Sequence, residues 1–179
     1  MCFNILNGIK KQNIQVLKIT NWEEKTIMVL DIQLSEQKEQ PVLYIKTRTP
    51  LSGLSKVIGD TYGKIFNYLT EIGEQPADVP YTAYYNLNME DLDVEMGFPV
   101  RGWLTERGEI KYGVIPSGKV VSCMYKGSYS QMEQPYNKIF KWIEENGYEQ
   151  KGVYYEYYYN SPDEVPESEL LTKIVIPLK

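Results

Sequence analysis

Apolar positions change their spacing several times along this chain, and each change marks an element. Residues 40–46 (Gln-Pro-Val-Leu-Tyr-Ile-Lys) read as a strand. From Gly53 to Ile72 the apolar residues Leu54, Ile58, Tyr62, Ile65, Phe66 and Leu69 recur every three or four positions. That spacing predicts a helix with one buried stripe. Gly73 is its expected C-cap, with Pro76 beyond. Strands are predicted over 81–87 and 92–100, joined by a turn at 88–91. In the second of these, Val94, Met96 and Phe98 share one face, and Asp93, Glu95 and Gly97 the other. Strands over 109–116 and 119–126 flank a Ser117-Gly118 turn. A second helix is predicted over 130–146, with Tyr136, Ile139, Phe140 and Ile143 as its stripe and Gly147 as its cap. Strands over 153–160 and 170–177 complete the pattern. Ahead of all this, residues 1–27 show weak periodicity, with a short strand expected over 14–19. They are expected to form a loosely held extension, with Met28 opening the folded part.

The predicted strand from Val153 to Asn160 places one carboxylate, Glu156, inside a run of five tyrosines. Aromatic residues favour pleated, half-buried surfaces. Alternation puts Tyr154, Glu156, Tyr158 and Asn160 on one face and Tyr155, Tyr157 and Tyr159 on the other. A carboxylate flanked by rings attracts cations, and partial burial raises its pKa.

Self-similarity extends this reading. Residues 62–73 align without a gap on residues 136–147, and the same offset places Thr82-Ala-Tyr-Tyr-Asn86 on Glu156-Tyr-Tyr-Tyr-Asn160. Each half then reads strand, helix, strand, strand. The expected fold is α+β: a pseudo-twofold duplication of that module over 28–100 and 109–178. Antiparallel sheets would carry helices on one face and a ligand cleft between the halves. Where the first half has the neutral Thr82, the second has the ionisable Glu156.

Composition narrows the chemistry. The chain has 179 residues and no histidine, which excludes His-dependent acid/base catalysis, Ser-His-Asp and Cys-His pairs and the commonest zinc ligand. Its two cysteines, Cys2 and Cys123, lack metal-ligand spacing. Cys123 lies in an apolar run and reads as core. No metal or cofactor is expected. A reducing, cytoplasmic setting fits this cysteine usage, and no apolar run approaches the roughly 18 residues of a membrane span. The formal net charge of −5 argues against direct nucleic-acid contact. Sixteen tyrosines against four Phe and three Trp suit the wall of a mixed-polarity pocket.

Glu156-Tyr-Tyr-Tyr-Asn-Ser-Pro162, Val165-Pro166 and Leu170-Leu-Thr-Lys-Ile-Val-Ile-Pro177 resemble the C-terminal signature of GyrI-like small-molecule-binding domains. Gly127-Ser-Tyr129, Tyr136 with Ile139-Phe140, and residues 91–99 fit the same pattern. Such domains also serve as effector-binding domains of multidrug-sensing transcription regulators. The resemblance covers about residues 28–178 and implies a stand-alone member that takes cationic, amphipathic ligands between aromatic rings, with the Glu156 carboxylate at the centre. It also implies two alternatives. One is hydrolysis of electrophilic, cyclopropanoid-type molecules, for which Glu156 and Tyr112 are the candidate pair. The other is an interaction role such as topoisomerase inhibition.

With the cleft placed on the sheet face away from the helices, the expected ligand-binding set is Glu156, Tyr158, Tyr84 and Glu95, with Tyr112, Tyr81 and Trp103 at the rim. Tyr62 and Tyr136 are assigned to the helix stripes as core. Tyr155, Tyr157 and Tyr159 are expected to pack under a helix.

Overall fold

The computed structural model describes residues 30–179. The extension expected over 1–27, and the strand over 14–19 within it, lie outside them. The described chain runs β1 (Gln33–Gln37), β2 (Gln40–Thr49), α1 (Leu51–Glu71), β3 (Tyr81–Tyr84), β4 (Leu92–Pro99), β5 (Lys111–Ile115), β6 (Gly118–Lys126), α2 (Glu133–Glu145), β7 (Tyr154–Tyr158) and β8 (Leu171–Pro177). The strands form one antiparallel sheet in the order β1-β6-β8-β7-β3-β4-β2-β5.

This order forces the sheet to curl. β5 is one edge and β6 is the strand next to the other edge, yet only Pro116 and Ser117 join them. The link from β1 to β2 is equally short. Two extended residues reach only about 7 Å, so the two margins must approach each other. They do: Gln37 Nε2 donates to the Pro116 carbonyl at 2.8 Å.

Both helices cover the outer face of the curl. Leu43 and Ile45 of β2 and Phe98 of β4 pack with Ile65, Tyr68 and Leu69 of α1. Val121 and Cys123 of β6 and Ile174 and Ile176 of β8 pack with Ile139 and Ile143 of α2. A separate cluster fills the inside of the curl: Val42, Tyr81, Ala83, Ile115, Val120, Tyr155 and Val175. The alternation in each strand thus serves two cores, one under the helices and one within the sheet's own concavity. The helices end alike. Gly73 and Gly147 take φ of 74° and 72°, and the next residues, Glu74 and Tyr148, donate back to the Leu69 and Ile143 carbonyls. This is the glycine-dependent close that satisfies a helix's last carbonyls. Among the described residues no helix is long and apolar enough to cross a membrane.

Two boundaries shift from expectation. The strand expected over 81–87 stops at Tyr84, and the one over 153–160 covers only Tyr154–Tyr158. Each ends where its asparagine turns to local bonding. The Asn86 side chain accepts from Asn88 N and donates to the Asp91 carbonyl. Asn160 accepts from Leu171 N and donates to the Glu169 carbonyl. Such side chains compete with the strand ladder.

Candidate functional site

β3 and β7 meet at the middle of the sheet, with Thr82 opposite Glu156 and Ala83 opposite Tyr155. On the other side of β3, Ala83 faces Glu95 of β4. Residues paired across a ladder share a face, and sequential residues alternate. Glu156 therefore lies on the face of Thr82, and Glu95 on the opposite face. The expectation that both carboxylates open into one cleft is corrected by this register. Glu156, Tyr158 and Tyr84 lie on the helix-covered side, while Glu95 and Tyr81 face the inside of the curl.

Glu156 sits between the two helices and is 7% exposed. Tyr136 of α2 donates to its Oε1 at 2.8 Å, and Tyr158 donates to its Oε2 at 2.8 Å. The Tyr84 and Tyr158 hydroxyls are 3.2 Å apart. A hydroxyl has one hydrogen. Since Tyr158 gives its hydrogen to Glu156, Tyr84 donates to Tyr158, and a relay Tyr84 to Tyr158 to Glu156 results. From α1, the Tyr62 hydroxyl meets the Thr82 hydroxyl at 3.0 Å. Tyr129, partly exposed in the short turn before α2, packs edge-on against Tyr158 with ring centroids 5.7 Å apart. Phe140 and Tyr154 stack edgewise beside Tyr136.

No lysine or arginine among the described residues pairs with Glu156; the ion pairs lie among other side chains. Burial raises its carboxyl above the ordinary range, and the hydroxyls of Tyr136, Tyr158 and Tyr84 oppose that rise. Burial also pushes the Tyr136, Tyr84 and Tyr158 phenols far up, with the Glu156 charge adding to it, so all three remain neutral donors. The result is a buried acceptor, ringed by aromatic faces, without a countercharge among the described residues. Thr172, opposite Tyr158 in the β7–β8 ladder, adds a buried hydroxyl with no hydrogen-bond partner among the described residues.

The second carboxylate is built the same way on the other face. Tyr81 donates to Glu95 Oε1 at 2.8 Å and Tyr85 to Oε2 at 3.0 Å. Tyr155 lies against Tyr81 with centroids 6.1 Å apart, and Tyr157 does so at 6.0 Å. Tyr155 and Tyr157 thus belong to the inside of the curl and not, as expected, under a helix. Tyr159 is 44% exposed and supports neither face as core.

The remaining candidates are not brought to either carboxylate. Tyr112 packs at the margin of the cluster under α1. It lies on edge strand β5, four strands from β7, a separation of roughly 19 Å along the sheet. It is thus not placed to work with Glu156. Trp103 is 70% exposed in the connection between β4 and β5. Sequence reasoning missed Tyr136 and Tyr62 by leaving them to the helix core. The signal was present: Tyr62 precedes Thr82, and Tyr136 precedes Glu156, by the same twenty residues. Tyr129 and Tyr85 were also missed, because turn and strand-end tyrosines show no periodicity, and Tyr44, in the middle of β2, was read only as a strand residue. Among the described residues no group of three or more His, Cys, Asp or Glu side chains is placed to hold a metal ion.

Comparison with known proteins bears on this geometry. A family model described as a GyrI-like small molecule binding domain matches residues 30–179. Curated proteins gave no match. Among solved structures, the chain is similar to EcmrR in a cryo-EM structure of an EcmrR–DNA complex. The TM-score is 0.76 at 24% identity, covering 88% of this chain and 60% of that one. The chain therefore spans about three fifths of the length of that EcmrR chain. It is also similar to the crystallised C-terminal domain of EcmrR, with a TM-score of 0.71 at 23% identity, covering 85% of this chain and 99% of that one. A structure of SAV2435 bound to tetraphenylphosphonium matches with a TM-score of 0.59 at 12% identity, covering 83% and 94%. At these identities the structural likeness establishes the fold.

Proposed function

Because the chain belongs to the GyrI-like small-molecule-binding domain family, we propose that it captures amphipathic, cationic aromatic compounds between its two helices, with Glu156 as the countercharge. The observation that carries this reading is a carboxylate 7% exposed that accepts from two tyrosines and has no basic partner among the described residues. Burying an ionised carboxylate without a partner is costly. A cation entering between α1 and α2 offsets that cost, and each well-placed ring adds about 0.5–2 kcal/mol. A neutral ligand of the same shape gains only the ring contacts. Tyr129 and Tyr158 stand on the approach, and Tyr84, Tyr136 and Thr172 complete the surroundings. SAV2435, of similar fold, holds a lipophilic cation, which supports the same ligand class here.

In this reading the domain is a duplicated module over 28–100 and 109–178. The mirrored strand order and the Tyr62–Thr82 and Tyr136–Glu156 pairs support it. The cleft lies between the helices at the junction of the halves. The protein works in the cytoplasm and makes no nucleic-acid contact of its own, in keeping with its formal net charge of −5.

The test is calorimetric titration with tetraphenylphosphonium and with neutral triphenylphosphine oxide. The wild type should favour the cation by at least tenfold, and Glu156→Gln should abolish that preference. Equal affinity for tetraphenylphosphonium in wild type and Glu156→Gln would remove the proposal.

A further inference from the structure

The curl of the sheet encloses a cavity of about 310 Å³ on the face opposite Glu156. Its wall is apolar over much of its extent, with Val42, Ile115, Val120 and Val153 contributing. Three tyrosines, Tyr44, Tyr85 and Tyr155, also line it. Glu95 is the acidic residue in the lining, 9% exposed, and both its oxygens accept from tyrosine hydroxyls. Lys46, its cross-strand neighbour on β2, is engaged elsewhere. Its Nζ lies 3.4 Å from Asp93 and 3.8 Å over the Tyr85 ring. No ion pair among the described residues neutralises Glu95.

Lys119 and Lys151 also line the cavity and are exposed. Alternation with Val121 and Cys123 turns the Lys119 side chain to the helix-covered face, whereas Lys151, whose N donates to the Pro177 carbonyl, shares the inner face with Val153. The Lys151 ammonium stands over Gly118, 3.6 Å from where a Cβ would be. The cavity therefore pairs a buried carboxylate among rings with the solvated ammonium group of Lys151. Between them lies an aliphatic wall.

We infer that this cavity is a second binding site, separate from the Glu156 site, for a small zwitterion whose ammonium meets Glu95 and whose anionic group meets Lys151. Aromatic faces and a buried carboxylate select the ammonium end. A lipophilic monocation is disfavoured here, because the Lys151 ammonium repels it and offers it no contact. Taking about 30 Å³ for each water-sized unit, the space holds on the order of ten non-hydrogen atoms. That is the size of an unbranched amino acid with its two charges at opposite ends. The Glu156 site has no basic side chain in its hydrogen-bonded group and does not fit such a molecule.

The experiment uses the full chain and a length series of ω-amino acids from 4-aminobutanoate to 8-aminooctanoate, with hexylamine and hexanoate as single-charge controls. Calorimetric titration should show binding that peaks at one chain length, and both single-charge controls should bind at least tenfold more weakly. Glu95→Gln should lose at least tenfold at the best length, and Glu156→Gln should lose nothing. The variant Lys151→Met changes only an exposed residue and cannot empty the core. It should bind the zwitterion and hexylamine equally. No binding across the series, binding unaltered by Lys151→Met, or loss on Glu156→Gln in place of Glu95→Gln would overturn the inference. Because the two glutamates are read by different probes, failure here leaves the tetraphenylphosphonium result standing.

Discussion

The Tyr136 hydroxyl donates to Oε1 of Glu156 at 2.8 Å, across the interval that separates Tyr62 from Thr82 in the other half of the sequence. The same tyrosine position thus meets a carboxylate once and a hydroxyl once. Only the Glu156 position carries the charge, and the consequences can be measured.

The first concerns pH. Burial holds the Glu156 carboxyl above its ordinary pKa, so the folded state binds this proton more tightly than the unfolded chain. The stability contributed by this group is fully present below the ordinary carboxylate pKa and is lost as pH rises through the raised folded value. Glu156→Gln carries no such loss. Urea unfolding should show the variant gaining on the wild type as pH rises through that window. A difference independent of pH would contradict the assignment. Cation affinity should rise over the same window, since the ionised form is the one that attracts it.

The two helix tyrosines should differ in their effect. Tyr136→Phe leaves a buried carboxylate oxygen without its donor, which costs roughly 1.5–3 kcal/mol. Tyr62→Phe removes a bond between two neutral hydroxyls, worth about 1 kcal/mol. Tyr136→Phe should also move the pH window upward, because one of the groups opposing the rise is gone. Chemical denaturation of both variants at two pH values checks this, and equal losses at both would count against a charged Glu156.

Restoring symmetry of charge should be harmful. Thr82 and Glu156 face each other directly, so Thr82→Glu places two carboxylates in one buried site. One of them must stay protonated. The expected destabilisation is about 3 kcal/mol or more near neutral pH, shrinking in acid. Thermal unfolding at pH 4 and pH 7 measures the difference. A penalty that grows in acid would be the wrong sign.

Close approach of β2 and β4 rests on Gly97. A Cβ there would lie 2.3 Å from the Leu43 carbonyl oxygen and 3.0 Å from Tyr44 Cα. Backbone cannot yield as a side-chain tip does, so Gly97→Ala should cost at least about 1–3 kcal/mol. Because Tyr44 and Glu95 border this contact, zwitterion binding should weaken along with stability. Urea midpoints together with 6-aminohexanoate titration test it. An unchanged midpoint would mean the strands are further apart than the structure has them.

Much of the fold was legible in sequence because its signals are local. The three- and four-residue spacing from Leu54 to Leu69 specified α1, and Gly73 its end. Alternation over 92–99 specified which residues of β4 share a face. The repeat singled out Glu156, and its aromatic neighbours marked it as a candidate. Alternation within a strand follows from backbone geometry alone. How strands relate to one another follows from register, which distant segments set, and a shift of one residue exchanges the faces. The pairing of Thr82 with Glu156 and of Ala83 with Glu95 therefore decided what sequence could not. It set the two carboxylates on opposite sides of the sheet, brought Tyr136 to one and Tyr81 and Tyr85 to the other, and left Tyr112 apart from both. The curl that encloses the second cavity arises from two-residue links between strands at opposite margins.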